Sequence, residues 1–406
     1  METVIEEDIV IVGAGIAGLT TSLGLYRLGV RSLILESSDG LRVSGFALII
    51  WKNAWKALDV VGVGDILRHK HLQLYGHVTT SLITGQQIST TSFMDNKGKH
   101  GGAYEVRRKL LLEALANELP SGTIRYMSKV VAIQESGLSK ILHLADGTTI
   151  KTKVLIGCDG VNSVVAKWLG FKEASYVESY VTRGYVELKD THELEPMFKE
   201  YLGKGFRVGA VPCDDKCAYW FFTCTPSKQD KELAEDPAKL KQYVLSKLEE
   251  IPSYVRFIIE NTNLDALHSA PLRYRHPWEL IMGNISKNNV CVAGDALHPM
   301  APYLAQGGCC ALEDGVVLAR CLGEVFSKKP KEEEEEEEYK RIEEGLKKYA
   351  KERRWRWVDL ITTSYIVGSI HESGSKFVNF FKGRLLAAFF AALPLKKSNF
   401  DCGQLK

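Results

Sequence analysis

Short unbroken apolar runs, amphipathic stretches and blocks of two-residue alternation succeed one another along this chain. Ile9–Val12 is a run of the kind buried on both faces of a sheet. Leu19, Leu23, Leu25 and Leu28 follow at roughly helical spacing, Gly29 closes that helix, and Ser32–Glu36 reads as a second strand, so the first 36 residues form a β-α-β unit. Trp55–Leu58 and Val61 predict another helix ending near Gly62-Val63-Gly64. Leu72–Phe93 then changes to Thr-, Ser- and Val-rich alternation around a turn at Gly85, the texture of antiparallel sheet. Tyr104–Leu119 returns to helical spacing. Ile124–Gln134 and Lys140–Leu144 read as paired strands, with a turn signal at Asp146-Gly147, and Val154–Gly157 as a short buried strand. Tyr180–Leu188 and Ala218–Thr225 are further antiparallel candidates, and Asp236–Glu250 is a polar helix. Asn289–Ala293 is a buried strand that runs through a polar loop into a helix, Gln306–Leu322.

Strands of the parallel kind thus occur at the start, in the middle and near residue 290, with antiparallel blocks between them. This interleaving predicts an α/β fold: a split Rossmann-like nucleotide-binding domain, an inserted antiparallel-sheet substrate domain and C-terminal helices. The expected boundaries are 1–71, 101–174 and 281–325 for the nucleotide-binding parts. The second domain takes 72–100 and 175–280, and 326–406 is a helical tail. Glu332–Glu338 is a run of like charge, but basic residues follow from Lys340 to Arg356, so a long exposed helix starting in the run is expected.

Composition changes this picture little. With 406 residues, 45% apolar and 25% charged, the chain has the balance of a folded protein of two or three domains. A formal charge of +2 gives no broad attraction to nucleic acid. The nine cysteines form no framework; Cys213/Cys217 and Cys309/Cys310 lack the second ligand pair of a zinc site, so no metal is expected and the thiols read as reduced. Met1–Asp8 is short and acidic, unlike a secretory or transit leader, which predicts a cytoplasmic location. The apolar segment Phe377–Leu395, broken by Lys382, Gly383 and Arg384, is too short to span a bilayer. It reads as a buried helix or as one lying on a membrane surface.

Three loops carry candidate chemistry, each directly after a buried strand. In the first, Gly13-Ala14-Gly15-Ile16-Ala17-Gly18, Gly13 permits the tight turn, Gly15 lets a pyrophosphate approach the backbone, and Gly18 lets the helix pack closely. Unpaired N–H groups at that helix start suit phosphates, and Glu36 can accept ribose hydroxyls. The second is Cys158-Asp159-Gly160. The third is Gly294-Asp295, followed by His298-Pro299, Gln306-Gly307-Gly308 and Glu313-Asp314. Asp295 at a strand end can bond a ribityl hydroxyl, and the helix opened by Gly307 and Gly308 can stabilise negative charge on a ring. His298, beside Pro299, reads as shaping the loop. The glycine loop alone indicates only a dinucleotide; the second and third contacts require a ligand as long as FAD.

These motifs, together with the stretches YEVRRKLLLEALA, LIGCDGVNSVV and VAGDALHPMAPYLAQGGCCALEDG, resemble the single-component FAD-dependent aromatic hydroxylases, and within them plant monooxygenases related to zeaxanthin epoxidase. The resemblance covers residues 6 to about 325. It implies that Gly13, Ala14, Gly15, Ala17, Gly18 and Glu36 hold the ADP half of FAD. Arg108, rather than Arg107, reaches the flavin side or the pyrophosphate. Val131 lies by the adenine, Asp295, Gly307 and Gly308 by the ribityl chain and ring, and Asp159 serves both FAD and NAD(P)H. Arg183 and Tyr219 correspond to positions near the substrate, with Trp220, Phe221 and Phe222 as candidate apolar lining. The implied reaction uses NADPH or NADH and O2, through a flavin C4a-hydroperoxide, to hydroxylate or epoxidise a small aromatic or isoprenoid-like substrate. A reductase on the same fold and a non-redox flavin-binding protein are the alternative readings. Two departures stand out. The arginine usual three residues after Ser163 is absent, with Lys167 one place further on. Ala305 replaces the usual glycine before Gln306-Gly307, which restricts that loop's backbone.

Overall fold

The computed structural model describes residues 4–42, 46–94, 102–192, 194–225, 236–327, 334–372 and 392–406. Of the apolar segment Phe377–Leu395, residues 377–391 lie outside these. Residues 392–397 are helical, and Pro394 accepts a bond from Gln306 Nε2 at 3.4 Å.

The three buried strands lie side by side. Ile5–Val12 pairs in parallel with Thr149–Gly157 on one side and with Leu33–Leu35 on the other; Thr149–Gly157 pairs in parallel with Val290–Val292, and Leu33–Leu35 with Ile124–Arg125. Their central residues, from Ile9 to Ile11 and from Val154 to Ile156, are fully buried because helices cover the sheet. Helix Ile16–Arg27 packs on helix Gly307–Ser327 through small residues: a Cβ on Gly315 would lie 2.6 Å from Thr20 Cβ, and one on Gly24 would lie 2.6 Å from Ala319 Cβ. Strand Ser139–Leu144 extends the sheet antiparallel to Thr149–Gly157, joined to it by the turn at Asp146-Gly147, and Val130–Ser136 pairs antiparallel with Ser139–Leu144.

A second sheet has the order Leu267–Tyr274, Ser175–Glu187, Cys217–Cys224, Phe206–Pro212, Met197–Leu202, Gly76–Ser81, Gln87–Ser92. Only the Met197–Leu202/Gly76–Ser81 pair is parallel. The pleat sends successive side chains to opposite faces. Trp220 and Phe222 therefore enter a core with Val244, Val255 and Ile258 of helices Pro237–Ser246 and Ser253–Glu260, while Tyr219 and Phe221 face a cavity shared with the first sheet. Of the three neighbouring aromatic residues, Phe221 lines the cavity, while Trp220 and Phe222 lie on the alternate, core face.

One helical expectation changes. Tyr104–Arg107 is a strand paired with Ala47–Ile50, and the helix begins only at Arg108, running to Asn117. Alternation over four residues was hidden by the apolar periodicity that follows. The C-terminal helix Glu335–Glu372 starts inside the glutamate run, placing Glu335–Glu338 in its first turn, where the macrodipole favours acidic groups. Among the described residues no helix is long and apolar enough to cross a membrane.

Candidate functional site

One cavity of about 960 Å³ runs between the two sheets, and the three loops open onto it. Gly13, Ala14, Gly15, Ala17 and Glu36 line it, as do Asp159, Arg108, Asp295, Gly307 and Gly308. Arg183, Tyr219 and Phe221 of the second sheet also line it.

The glycine loop is shaped by contacts that permit no side chain. Gly13 has φ +103°, and a Cβ there would stand 2.4 Å from the Cys158 carbonyl oxygen; one on Gly18 would stand 2.1 Å from the Gly13 carbonyl oxygen. Gly18 thus packs the helix and does not line the cavity. At Gly15 the nearest heavy atom would be 4.0 Å away, so that backbone is open to a ligand. Gly15 is also the N-cap of helix Ile16–Arg27 and offers no capping side chain, leaving the first-turn N–H groups for an anion. The Ala14 N–H donates to Glu36 Oε2 at 2.8 Å and the Ser38 N–H to Oε1 at 2.9 Å, so Glu36 pins the loop as well as facing the cavity.

At the second loop the Val164 N–H donates to Asp159 Oδ2 at 2.7 Å, and the Ala166 N–H to Ser163 Oγ at 2.8 Å, capping helix Val164–Trp168. The other oxygen, Asp159 Oδ1, is buried without a hydrogen-bond partner among the described residues. Burial pushes this carboxyl's pKa up against the bonds that would lower it. An acceptor so placed suits a ribose or ribityl hydroxyl.

Arg108 and Arg107 point different ways. Arg107 reaches Asp214 at 3.5 Å and the Tyr185 hydroxyl at 3.4 Å, away from the cavity, whereas Arg108 lines it. Burial lowers the Arg108 pKa; Asp295 opposes that shift, while Arg183 and Arg42 reinforce it. The Val131 side chain is 52% exposed and does not line the cavity; its neighbour Val130, 4% exposed, does, with Ser128 and Lys129. A register irregularity between Val130 and Ala132 offsets the alternation by one residue, which reverses the faces.

Sequence reasoning missed three groups. Glu105 lines the cavity from the strand mistaken for helix. Arg42 joins Arg108 and Arg183 on the cavity wall. Arg207 pairs with Glu200 at 2.7 Å, and Glu200 with His77 at 3.3 Å, between Phe198, Phe221 and Tyr303. Residues 77, 200 and 207 meet only because Met197–Leu202 lies between two strands of the second sheet, which no local pattern announces.

His298 is fully buried against Asp314 at 2.5 Å and serves the loop rather than the cavity. His298, Cys310 and Asp314 bring metal-ligand atoms within 4.8 Å of one another, but the Arg353 guanidinium lies among them, at 2.8 Å from Asp314 and 3.2 Å from Cys310 Sγ. Ala305 lies at φ 49°, the left-handed region. Ala305→Gly should relieve about 1–2 kcal/mol of strain against about 0.4–1 kcal/mol of added unfolded-state entropy. A thermal midpoint unchanged or slightly raised is expected; a clear fall would show that the alanine side chain contributes packing.

The residues present fit FAD: a loop closed to side chains at Gly13, an open backbone at Gly15, an orphaned Asp159 oxygen, and a cavity long enough to join Glu36 to Asp295. The family model described as an FAD binding domain matches residues 6–356. The chain belongs to this family of FAD-binding proteins and is an FAD-dependent monooxygenase. It is 50% identical to Monooxygenase 2 of Arabidopsis thaliana over 402 residues, covering 98% of each chain. It is 33% identical to Monooxygenase 1 of the same plant, over 98% of this chain and 100% of that one. Its fold resembles Klebsiella pneumoniae HpxO complexed with FAD and uric acid, with TM-score 0.78 and 21% identity over 98% of this chain and 93% of that one.

Glu36→Ala removes the acceptor that orders the glycine loop. Loss of a hydrogen bond to a charged group costs about 1.5–3 kcal/mol, or roughly 10- to 150-fold in FAD affinity. Flavin fluorescence titration checks this, and undiminished binding would remove Glu36 from the site.

Proposed function

We propose that the chain uses NADPH or NADH and O2 to hydroxylate or epoxidise a small aromatic or isoprenoid-like molecule. The observation that carries this is the continuity of the cavity, from the dinucleotide loop to the inner face of the second sheet. Bound FAD would supply the redox chemistry, accepting a hydride and activating O2 for transfer of one oxygen atom. The protein's share is orientation and exclusion of water. Gly13, Ala14, Gly15, Ala17 and Glu36 hold the ADP half, with Gly18 packing the helix behind them; Asp159 accepts from a sugar hydroxyl and serves the nicotinamide cofactor as well, and Asp295 with Gly307 and Gly308 meets the ribityl chain and ring. Arg108 supports the flavin side from the wall. Arg183 and Tyr219 are the substrate contacts, and Phe221 supplies an apolar surface. All nine cysteines are free thiols, eight of them buried, which supports a reducing compartment such as the cytoplasm.

The proposal is tested by screening ring and alkene substrates for NAD(P)H oxidation, with 18O2 as oxidant and product mass as readout. One labelled oxygen per NAD(P)H is expected. Consumption with H2O2 as the sole product for every substrate would favour a reductase.

A further inference from the structure

Glu105 is a buried carboxyl on the wall of the cavity. It is 1% exposed, its Oε2 has no hydrogen-bond partner among the described residues, and it lines the same space as Arg183 and Tyr219. Its strand faces Ala47–Ile50, where the opposing residue is the apolar Ile49. Among the described residues, few ionisable groups lie around it. The Cys213 thiol and the Tyr219 phenol feel its charge, and Arg183 acts on Tyr219 from its own strand. Arg107, two residues along the strand, is taken up by Asp214 and Tyr185. Among the described residues nothing neutralises the carboxyl, and burial raises its pKa to about 8. A buried carboxyl with one oxygen unbonded is costly unless something that enters the cavity completes its bonding.

We propose that Glu105 is an acid–base catalytic residue of this site, exchanging a proton with a hydroxyl on the substrate ring while Arg183 balances the charge on the ring oxygen. The inference rests on the monooxygenase reading above. As the ring O–H bond breaks, its proton passes to Glu105 Oε2, and the electron pair stays on the oxygen and enriches the ring. Oxygen from O2 adds to an activated carbon, which loses its hydrogen as a proton when aromaticity returns. Glu105 gives its proton back to the ring oxygen. NAD(P)H supplies two electrons, and the second atom of O2 leaves as water. A group titrating near the working pH moves in both directions with little penalty.

The test uses the FAD-loaded chain, with 4-nitrophenol as the probe. Below pH about 8 a protonated Glu105 donates to the bound 4-nitrophenolate; above it the carboxylate repels the anion. Wild-type affinity for the phenolate should therefore fall about tenfold per pH unit above that point, and Glu105→Gln, which donates at every pH, should abolish the fall. Infrared difference spectra of the wild type should show a protonated-carboxyl band that disappears through the same range and is missing from the variant. This titration remains readable in the wild type should the variant lose FAD. Equal pH dependence in both proteins, no binding of the probe by the wild type, or no titrating band would overturn the proposal. Bleaching of the flavin by NADH or NADPH is followed in parallel. Its failure would remove the redox reading and leave the Glu105 titration standing, so the two failures are distinguishable.

Discussion

Gly13→Ala should yield a chain that purifies without FAD and melts well below the wild type. At φ +103° an L-residue is strained, and its Cβ would stand 2.4 Å from the Cys158 carbonyl oxygen and 2.8 Å from the carbonyl carbon. Those atoms are backbone and cannot rotate away. The carbonyl belongs to the junction between a central strand and the Asp159 loop, so relief of the clash would displace two of the three loops at once. Left-handed strain of about 1–2 kcal/mol and overpacking of about 1–3 kcal/mol together remove a large part of a typical domain's stability. Gly15→Ala is the control. Its Cβ meets nothing closer than 4.0 Å and its φ is ordinary, so the fold should hold while the methyl stands where a pyrophosphate approaches. Bound flavin per chain and thermal midpoint, read together, separate the two. An unchanged midpoint in Gly13→Ala would mean that the strand junction is not rigid.

The strands Ile5–Val12, Thr149–Gly157 and Val290–Val292 were legible because each ends in an unbroken apolar run followed by a loop with glycine. Burial on both faces writes itself into every residue of such a strand. The cofactor end of the site was legible for the same reason: its contacts are backbone and short side chains at strand ends, and spacing constrains them. Val131 and Val130 exchange faces because a bulge, invisible in an alternating stretch, shifts the pairing by one residue. Glu105 failed because four residues of strand precede ten of helix, and the longer period dominated. The wall made by His77, Glu200 and Arg207 depends on which strands become neighbours, a long-range outcome that local periodicity does not encode. Legibility therefore falls from the dinucleotide end, where backbone geometry decides, to the substrate end, where sheet order decides.

Arg353→Met should destabilise the protein by about 3–5 kcal/mol, the range for removing one partner of a buried ion pair. Arg353 is fully buried in the C-terminal helix, with Glu313 at 2.7 Å and Asp314 at 2.8 Å. Asp314 in turn holds His298 and accepts from the Gly294 N–H at 3.0 Å; Glu313 holds Asn53, which also donates to Gln306 at 3.0 Å. The network therefore ties the last long helix to both sides of the loop carrying Asp295, and methionine would leave Glu313 and Asp314 short of positive charge. Its pH dependence follows from the two shifts. Burial alone would raise the Asp314 pKa, but His298 and Arg353 outweigh it and hold the pKa below the ordinary value of 3.8. This contribution is present above the unfolded pKa and is lost as pH falls through the folded one. Burial alone would lower the His298 pKa, but Cys310 and Asp314 outweigh it and raise the pKa well above 6.5. That contribution is complete below 6.5 and fades only as pH rises through the folded value. Wild-type stability from this network should thus be level from about pH 4 to 6.5 and persist beyond neutrality. In Arg353→Met, Asp314 loses one of its two cations, so the acid limb of denaturation should move to higher pH. Urea unfolding across that range measures both effects, and coincident pH profiles for the two proteins would show that Arg353 does not set the ionisation of the pair.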